Sequence, residues 1–217
     1  MGGWGSILTQ ETELNTKLVV EQIIPLLYRF EYELNRKSPI YDEAWGKIVW
    51  KTPLSEDERN VSLQKHSNYF KVIHALIEKL ESMFGSILVY DVHSYNYKRW
   101  DRKVPIFNIG AENIDKKYAK FVENWRYELS NIKLEGFNVE SKINDVFFGR
   151  GYNLEYIISN FNNTLVLATE ISKIYCDEET GEIYPQIINN IQVNFEKAIL
   201  NNVKFFVEKL EINQDVL

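Results

Sequence analysis

Ser86-Ile87-Leu88-Val89-Tyr90-Asp91-Val92 is a nearly continuous apolar run rich in β-branched residues, the pattern of a strand buried on both faces of a sheet. Far downstream, Thr164-Leu165-Val166-Leu167-Ala168-Thr169 repeats it. Long helical patterns surround the two runs. From about Glu56 to Met83, Tyr69, Phe70, Ile73, Leu76, Ile77, Leu80 and Phe84 recur at three- and four-residue steps, and Gly85 follows as a stop. Tyr118, Phe121, Val122, Trp125 and Leu129 outline a second helix. The turn Gly149-Arg150-Gly151 leads into a short helix carrying Leu154, Ile157 and Ile158. From Tyr184 to about Leu210 a last amphipathic helix carries Ile187, Ile191, Phe195, Ile199, Val203 and Phe206. Apolar strands separated by long helices predict an α/β chain, a three-layer sandwich with a mostly parallel central sheet.

Nearer the start the pattern is less regular. Leu14 to Leu27 is apolar enough for a helix or a strand, interrupted at Pro25, and residues 37–56 read as an irregular packed loop around Pro39 and Pro53. Residues 1–13 are expected to be a disordered or irregular start, and 14–217 a single domain. The opening Met1-Gly2-Gly3-Trp4-Gly5-Ser6 loosely fits a myristoylation pattern, although a frayed terminus or an expression scar has the same composition.

The chain has 217 residues, 45% hydrophobic and 26% charged, which is globular rather than disordered composition. Its net charge of −6 and the absence of a basic run argue against a nucleic-acid partner. No apolar stretch approaches the roughly 20 residues that span a bilayer, so no membrane partner is expected. The single cysteine, Cys176, excludes an internal disulfide framework and an all-cysteine zinc site. No leader pattern is recognisable, so a cytoplasmic location is expected. Oligomeric state is not set by any of these features.

In open α/β sheets, chemistry gathers where strands end at their carboxyl edge. The first apolar run exits through Asp91-Val92-His93-Ser94-Tyr95. Alternation puts Asp91 and His93 on one side, where a carboxylate can orient an imidazole that binds zinc; a histidine capping a strand edge is the plainer alternative. The second run closes on Glu170, where desolvation raises a carboxyl toward the range of a general base; the alternative is a glutamate reaching solvent or pairing with Lys173. The third element is Arg29-Phe30-Glu31-Tyr32-Glu33-Leu34-Asn35-Arg36. An Asn-Arg pair leaving a strand can bind a carboxylate through the guanidinium fork, or Arg36 can simply pair with Glu31 or Glu33. His66 and His74 read as helix-surface or packing residues.

Taken together and in order, these segments resemble the N-formylglutamate amidohydrolase family, whose fold is similar to that of the zinc carboxypeptidases (phosphorylase/hydrolase-like). The residues that carry the likeness are Phe30 to Arg36, Ala44 to Trp50, Val89 to Asn96, Phe107-Asn108-Ile109-Gly110, and Glu170 with Asp177 to Glu182. The resemblance implies a zinc-dependent amidohydrolase acting on a small carboxylate-bearing substrate such as an N-formyl or N-acyl amino acid. It further implies His93 as a zinc ligand and Glu170 as the catalytic glutamate. Asn35 and Arg36 would hold the substrate carboxylate, with Ser94, Tyr95 and Arg150 as further substrate-binding positions. One departure stands out. The family supplies its other metal ligands from an upstream histidine and an acidic residue, whereas the region before Tyr28 holds no histidine and only Glu11, Glu13 and Glu21. Two expectations follow: a chain that begins downstream of that ligand segment, or one that has lost its metal and only binds a small carboxylate or a protein partner.

Overall fold

The computed structural model describes residues 33–38, 40–44 and 47–214. The expectations for Leu14 to Leu27, for residues 1–13 and for the strand through Arg29 to Tyr32 lie outside these residues. Contacts divide the chain into two compact units, Met1–Leu34 with Ser38–Asn68 and Asn35–Lys37 with Tyr69–Leu217.

In the first unit, the stretch expected to be irregular contains a short antiparallel pairing of β1 (Glu43–Ala44) with β2 (Lys47–Ile48). The Trp50 indole donates to the Tyr41 carbonyl at 3.0 Å. The long helix α1 (Glu56–Phe84) begins here. Its start is a reciprocal cap: the Glu58 carboxylate accepts from the Ser55 backbone N–H at 2.8 Å, and the Ser55 hydroxyl accepts from the Glu58 N–H at 3.3 Å. That exchange satisfies two donors that a helix start otherwise leaves open. Gly85 ends the helix in the left-handed region, φ 76°, its N–H bonded to the Glu81 carbonyl.

The second unit is built on a four-stranded sheet in the order β3-β6-β4-β5. The strands are β3 (Ile87–Tyr95), β4 (Phe107–Gly110), β5 (Ser141–Ile143) and β6 (Thr164–Ser172). Three further helices accompany them: α2 (Ala119–Ser130), α3 (Tyr152–Asn160) and α4 (Pro185–Gln214). On one face of the sheet Val89, Val166 and Ala168 pack with Ile73 and Ile77 of α1 and with Leu154, Ile157 and Phe161 at α3. On the other face Phe107, Ile109, Leu165 and Leu167 pack with Trp125 and Leu129 of α2 and Ile191, Ala198 and Phe206 of α4. Removing each such side chain from water contributes about 1.5–3 kcal/mol. Inside this core the Trp125 indole donates to the Thr169 hydroxyl at 2.9 Å.

The sheet is mixed, which qualifies the mostly parallel arrangement expected. The pairs β3–β6 and β4–β5 are parallel, but β4 and β6 are antiparallel. The connections explain this. The chain passes from β4 to β5 through α2, a helical crossover that returns it in the same direction, whereas the link from β3 to β4 contains only the short 3-10 turn Tyr97–Arg99 and brings the chain back reversed. The two apolar runs also differ in burial. β6 is enclosed as expected, with Val166 and Leu167 at 0% exposure, whereas Val92 of β3 is 45% exposed. Among the described residues β3 pairs with β6 alone, so one of its edges carries no strand. Again among the described residues, no helix is long and apolar enough to cross a membrane.

Candidate functional site

Parallel pairing brings the ends of β3 and β6 to the same edge of the sheet. Their register sets Asp91 beside Ala168, His93 beside Glu170 and Tyr95 beside Ser172. Directly paired residues share a face and lie about 4.8 Å apart across strands, so His93 and Glu170 are immediate neighbours although far apart in sequence. Asp91 lies two residues before His93 on that face, and its Oδ1 is 3.0 Å from His93 Nε2. The Asp91 side chain is 13% exposed and that of His93 36%. A carboxylate at this distance accepts a proton-bearing Nε2, fixes the ring and places the lone pair of the neutral imidazole on Nδ1. The expectation of a carboxylate orienting a histidine at this strand end therefore matches the geometry.

Tyr95 comes next on the same face and is buried. Its hydroxyl donates to the Pro105 carbonyl. Burial, reinforced by the nearby Asp145 and Glu170 carboxylates and opposed by Arg102, holds its phenol well above the usual tyrosine range. The Glu170 carboxylate is thus within electrostatic reach of the Tyr95 phenol. Ser94 does not join this group. Alternation turns it to the opposite face, where its side chain bonds to Tyr175. Lys173, a possible partner of Glu170, donates to Asn96 Oδ1 at 2.7 Å.

Asn35 and Arg36 lie in a turn. The Asn35 carbonyl accepts from Tyr152 N–H at 3.1 Å, and its side-chain amide rests where a β-carbon on Gly151 would stand, 1.9 Å from Asn35 Oδ1. Gly151 is the N-cap of α3, and α3 packs on the face that carries His93 and Glu170. Asn35 is therefore held on that side of the sheet, and Arg36 is exposed beside it. Arg150 is committed elsewhere: its guanidinium forks onto both oxygens of Glu112, with Nη2 to Oε1 at 2.8 Å, and lies over the Phe148 ring. The pair lowers the Glu112 carboxyl and raises Arg150.

Two further features adjoin the site. Arg102 donates to Asp145 Oδ2 at 2.9 Å and to the Asp145 carbonyl at 3.0 Å. Asn108, fully buried, is the register partner of Glu170 on β4. In the sequence Asn108 stands out only as a polar residue inside the apolar run Phe107-Asn108-Ile109 bounded by Gly110. Residues 177–181 form an acidic turn. Asp177 Oδ1 accepts from the Thr180 and Glu179 N–H groups, which hold that carboxyl below its usual range. His74 behaves as a packing residue, bonded to the Tyr156 hydroxyl at 3.2 Å and tilted against Phe161.

Catalytic zinc is held by about three protein ligands with one position left open. Among the described residues no group of three histidine, cysteine or acidic side chains is arranged to hold a metal ion. Among the described residues His93 is the imidazole at this strand end that could serve as one ligand, with Nε2 engaged by Asp91 and Nδ1 as the donor atom.

No family model and no curated protein matches the sequence. Among solved structures, the chain is similar to N-formylglutamate amidohydrolase from Ralstonia eutropha JMP134, with a TM-score of 0.54 and 17% identity over 77% of this chain and 64% of that one. It is likewise similar to the gene product Atu2144 from Agrobacterium tumefaciens, with a TM-score of 0.56 and 15% identity over 83% of this chain and 69% of that one. The chain therefore spans somewhat less than two thirds of the length of the first of these. At such identities the likeness concerns architecture: the α/β fold of this chain is similar to that of an N-formylglutamate amidohydrolase.

Proposed function

We propose that this chain is a hydrolase that cleaves an amide bond of a small carboxylate-bearing substrate, such as an N-formyl or N-acyl amino acid. The observation that carries the proposal is the pairing of His93 with Glu170 at one strand edge, with Asp91 bonded to the imidazole. Glu170 takes a proton from the attacking water and delivers it to the leaving nitrogen. Positioned acid–base groups of this kind contribute about 10²–10⁴-fold to rate. His93, fixed by Asp91, sits beside the carboxylate that moves the proton. Asn35 and Arg36 receive the substrate carboxylate, for which a guanidinium fork is suited. Zinc dependence is a finer form of the proposal, with His93 as its described ligand; bound there, the metal would lower the pKa of water and polarise the carbonyl.

The test is hydrolysis of N-formylglutamate and N-acetylglutamate by purified protein, with and without added zinc, alongside elemental analysis. Glu170→Gln is expected to reduce kcat about a hundredfold or more while substrate still binds by calorimetry. Turnover unaffected by that substitution would overturn the role of Glu170. A second reading, motivated by the lack of a histidine before Tyr28, is binding of the carboxylate without hydrolysis. It predicts binding lost in Arg36→Ala and no turnover under either condition.

A further inference from the structure

The loop between β5 and α3, residues 144–151, is tied to β4 and its exit at several points. Asn144 Oδ1 accepts from the Ala111 N–H at 2.7 Å, and Asn144 itself adopts φ 55°. Glu112 N–H reaches the Phe148 carbonyl at 3.0 Å, and Asn113 Nδ2 reaches the Gly149 carbonyl at 3.1 Å. One of these ties lies inside the sheet at the level of the site. Asn108 Oδ1 accepts from the N–H groups of Asp145 and Val146 at 3.0 and 2.9 Å, and its Nδ2 donates to the Phe147 carbonyl at 2.8 Å. Three consecutive loop residues are therefore gripped by one amide that is 0% exposed and sits in register with Glu170.

The grip has a definite product. Phe147 is set edge-on against Tyr95, with ring centroids 5.3 Å apart, and against Trp100 at 5.9 Å. Tyr95 follows His93 on the same face of β3. From this we infer that Asn108 is a positioning residue, holding the 145–147 backbone so that Phe147 and Tyr95 form a fixed aromatic wall beside the His93–Glu170 pair. Only an amide serves, because the loop presents two donors and one acceptor to the same side chain. An aspartate keeps the two acceptor bonds and loses the donated one. An alanine loses all three and leaves buried backbone groups unpaired.

The consequence for turnover rests on the hydrolase reading above, whereas the grip itself does not, and the experiment separates them. Backbone amide exchange is measured by NMR for the wild type, Asn108→Ala and Asn108→Asp. In Asn108→Ala the amides of Asp145 and Val146 are expected to exchange about tenfold faster or more, with Leu165, Val166 and Leu167 unchanged. Asn108→Asp is expected to restore their protection, and it also serves if the alanine variant does not fold. On N-formylglutamate, a displaced wall weakens substrate and transition state alike, so KM rises while kcat is kept. Equal protection of Asp145 and Val146 in wild type and alanine variant, or acceleration spread over β6 as well, overturns the inference. So does a fall in kcat at unchanged KM, the mark of a smaller folded fraction. A wild type that hydrolyses neither substrate sinks the hydrolase reading alone, and the exchange data then decide the grip.

Discussion

Gly110→Ala is the most direct perturbation of the scaffold around the site. A β-carbon on Gly110 would stand 2.3 Å from Gly149 N, 2.6 Å from Gly149 Cα and 3.0 Å from Phe148 C. All three are backbone atoms, so no side chain can rotate away. Ordinary carbon contacts lie at about 3.5–4.0 Å, hence β4 and the loop must part by about 1 Å. Overpacking of this kind costs about 1–3 kcal/mol. The Glu112 N–H to Phe148 carbonyl bond at 3.0 Å crosses the same junction, and its loss adds about 1 kcal/mol. A total of about 2–4 kcal/mol, at roughly 2–4 °C per kcal/mol for a chain of this size, lowers Tm by roughly 5–15 °C. Gly136→Ala is the control: its φ is +80° and nothing lies within 4 Å of the added carbon, leaving only the left-handed backbone penalty of about 1–2 kcal/mol. Thermal unfolding followed by circular dichroism compares the two. The reasoning fails if Gly110→Ala melts at or above the wild type, or if it is less destabilising than Gly136→Ala.

Gly151→Ala is expected to act on binding rather than stability. The added carbon displaces the Asn35 amide while φ −73° suits alanine, so affinity for N-formylglutamate by calorimetry should fall about tenfold with Tm nearly unchanged; equal affinity would count against the placement of Asn35. Burial raises the phenols of Tyr90, Tyr118 and Tyr175, so the stability they contribute is present below about pH 10 and lost as pH rises beyond it. Tyr90→Phe should flatten that alkaline limb in urea titrations, and an unaltered slope would refute the assignment. Asp177 is held below its usual range by the Thr180 and Glu179 N–H groups, so its contribution is present at neutral pH and disappears as acid protonates it. The Tm gap between wild type and Asp177→Ala should therefore close as pH falls below about 4, and a gap that persists in acid would contradict this.

Much of the architecture follows from local pattern. The helical steps from Tyr69 to Phe84 and from Ile187 to Phe206 and the apolar runs at 86–92 and 164–169 correspond to α1, α4, β3 and β6. Strand exits were enough to single out Asp91, His93 and Glu170. Alternation alone already separates Ser94 from His93, because successive residues of a strand face opposite ways. The sequence pattern does not mark β4 or β5 as a strand. Four residues with a buried asparagine, and three including a serine and a lysine, are too short to show a period.

Hydrophobic periodicity is a property of neighbouring residues, and it determined which segments form helices and strands and which side of each is apolar. Strand order, the reversal of β4 and β5 relative to β3 and β6, and the register that sets Glu170 between His93 and Asn108 arise from pairing between distant segments. Only the folded chain decides these, because shifting a strand by a single residue preserves its composition while turning every side chain to the other face.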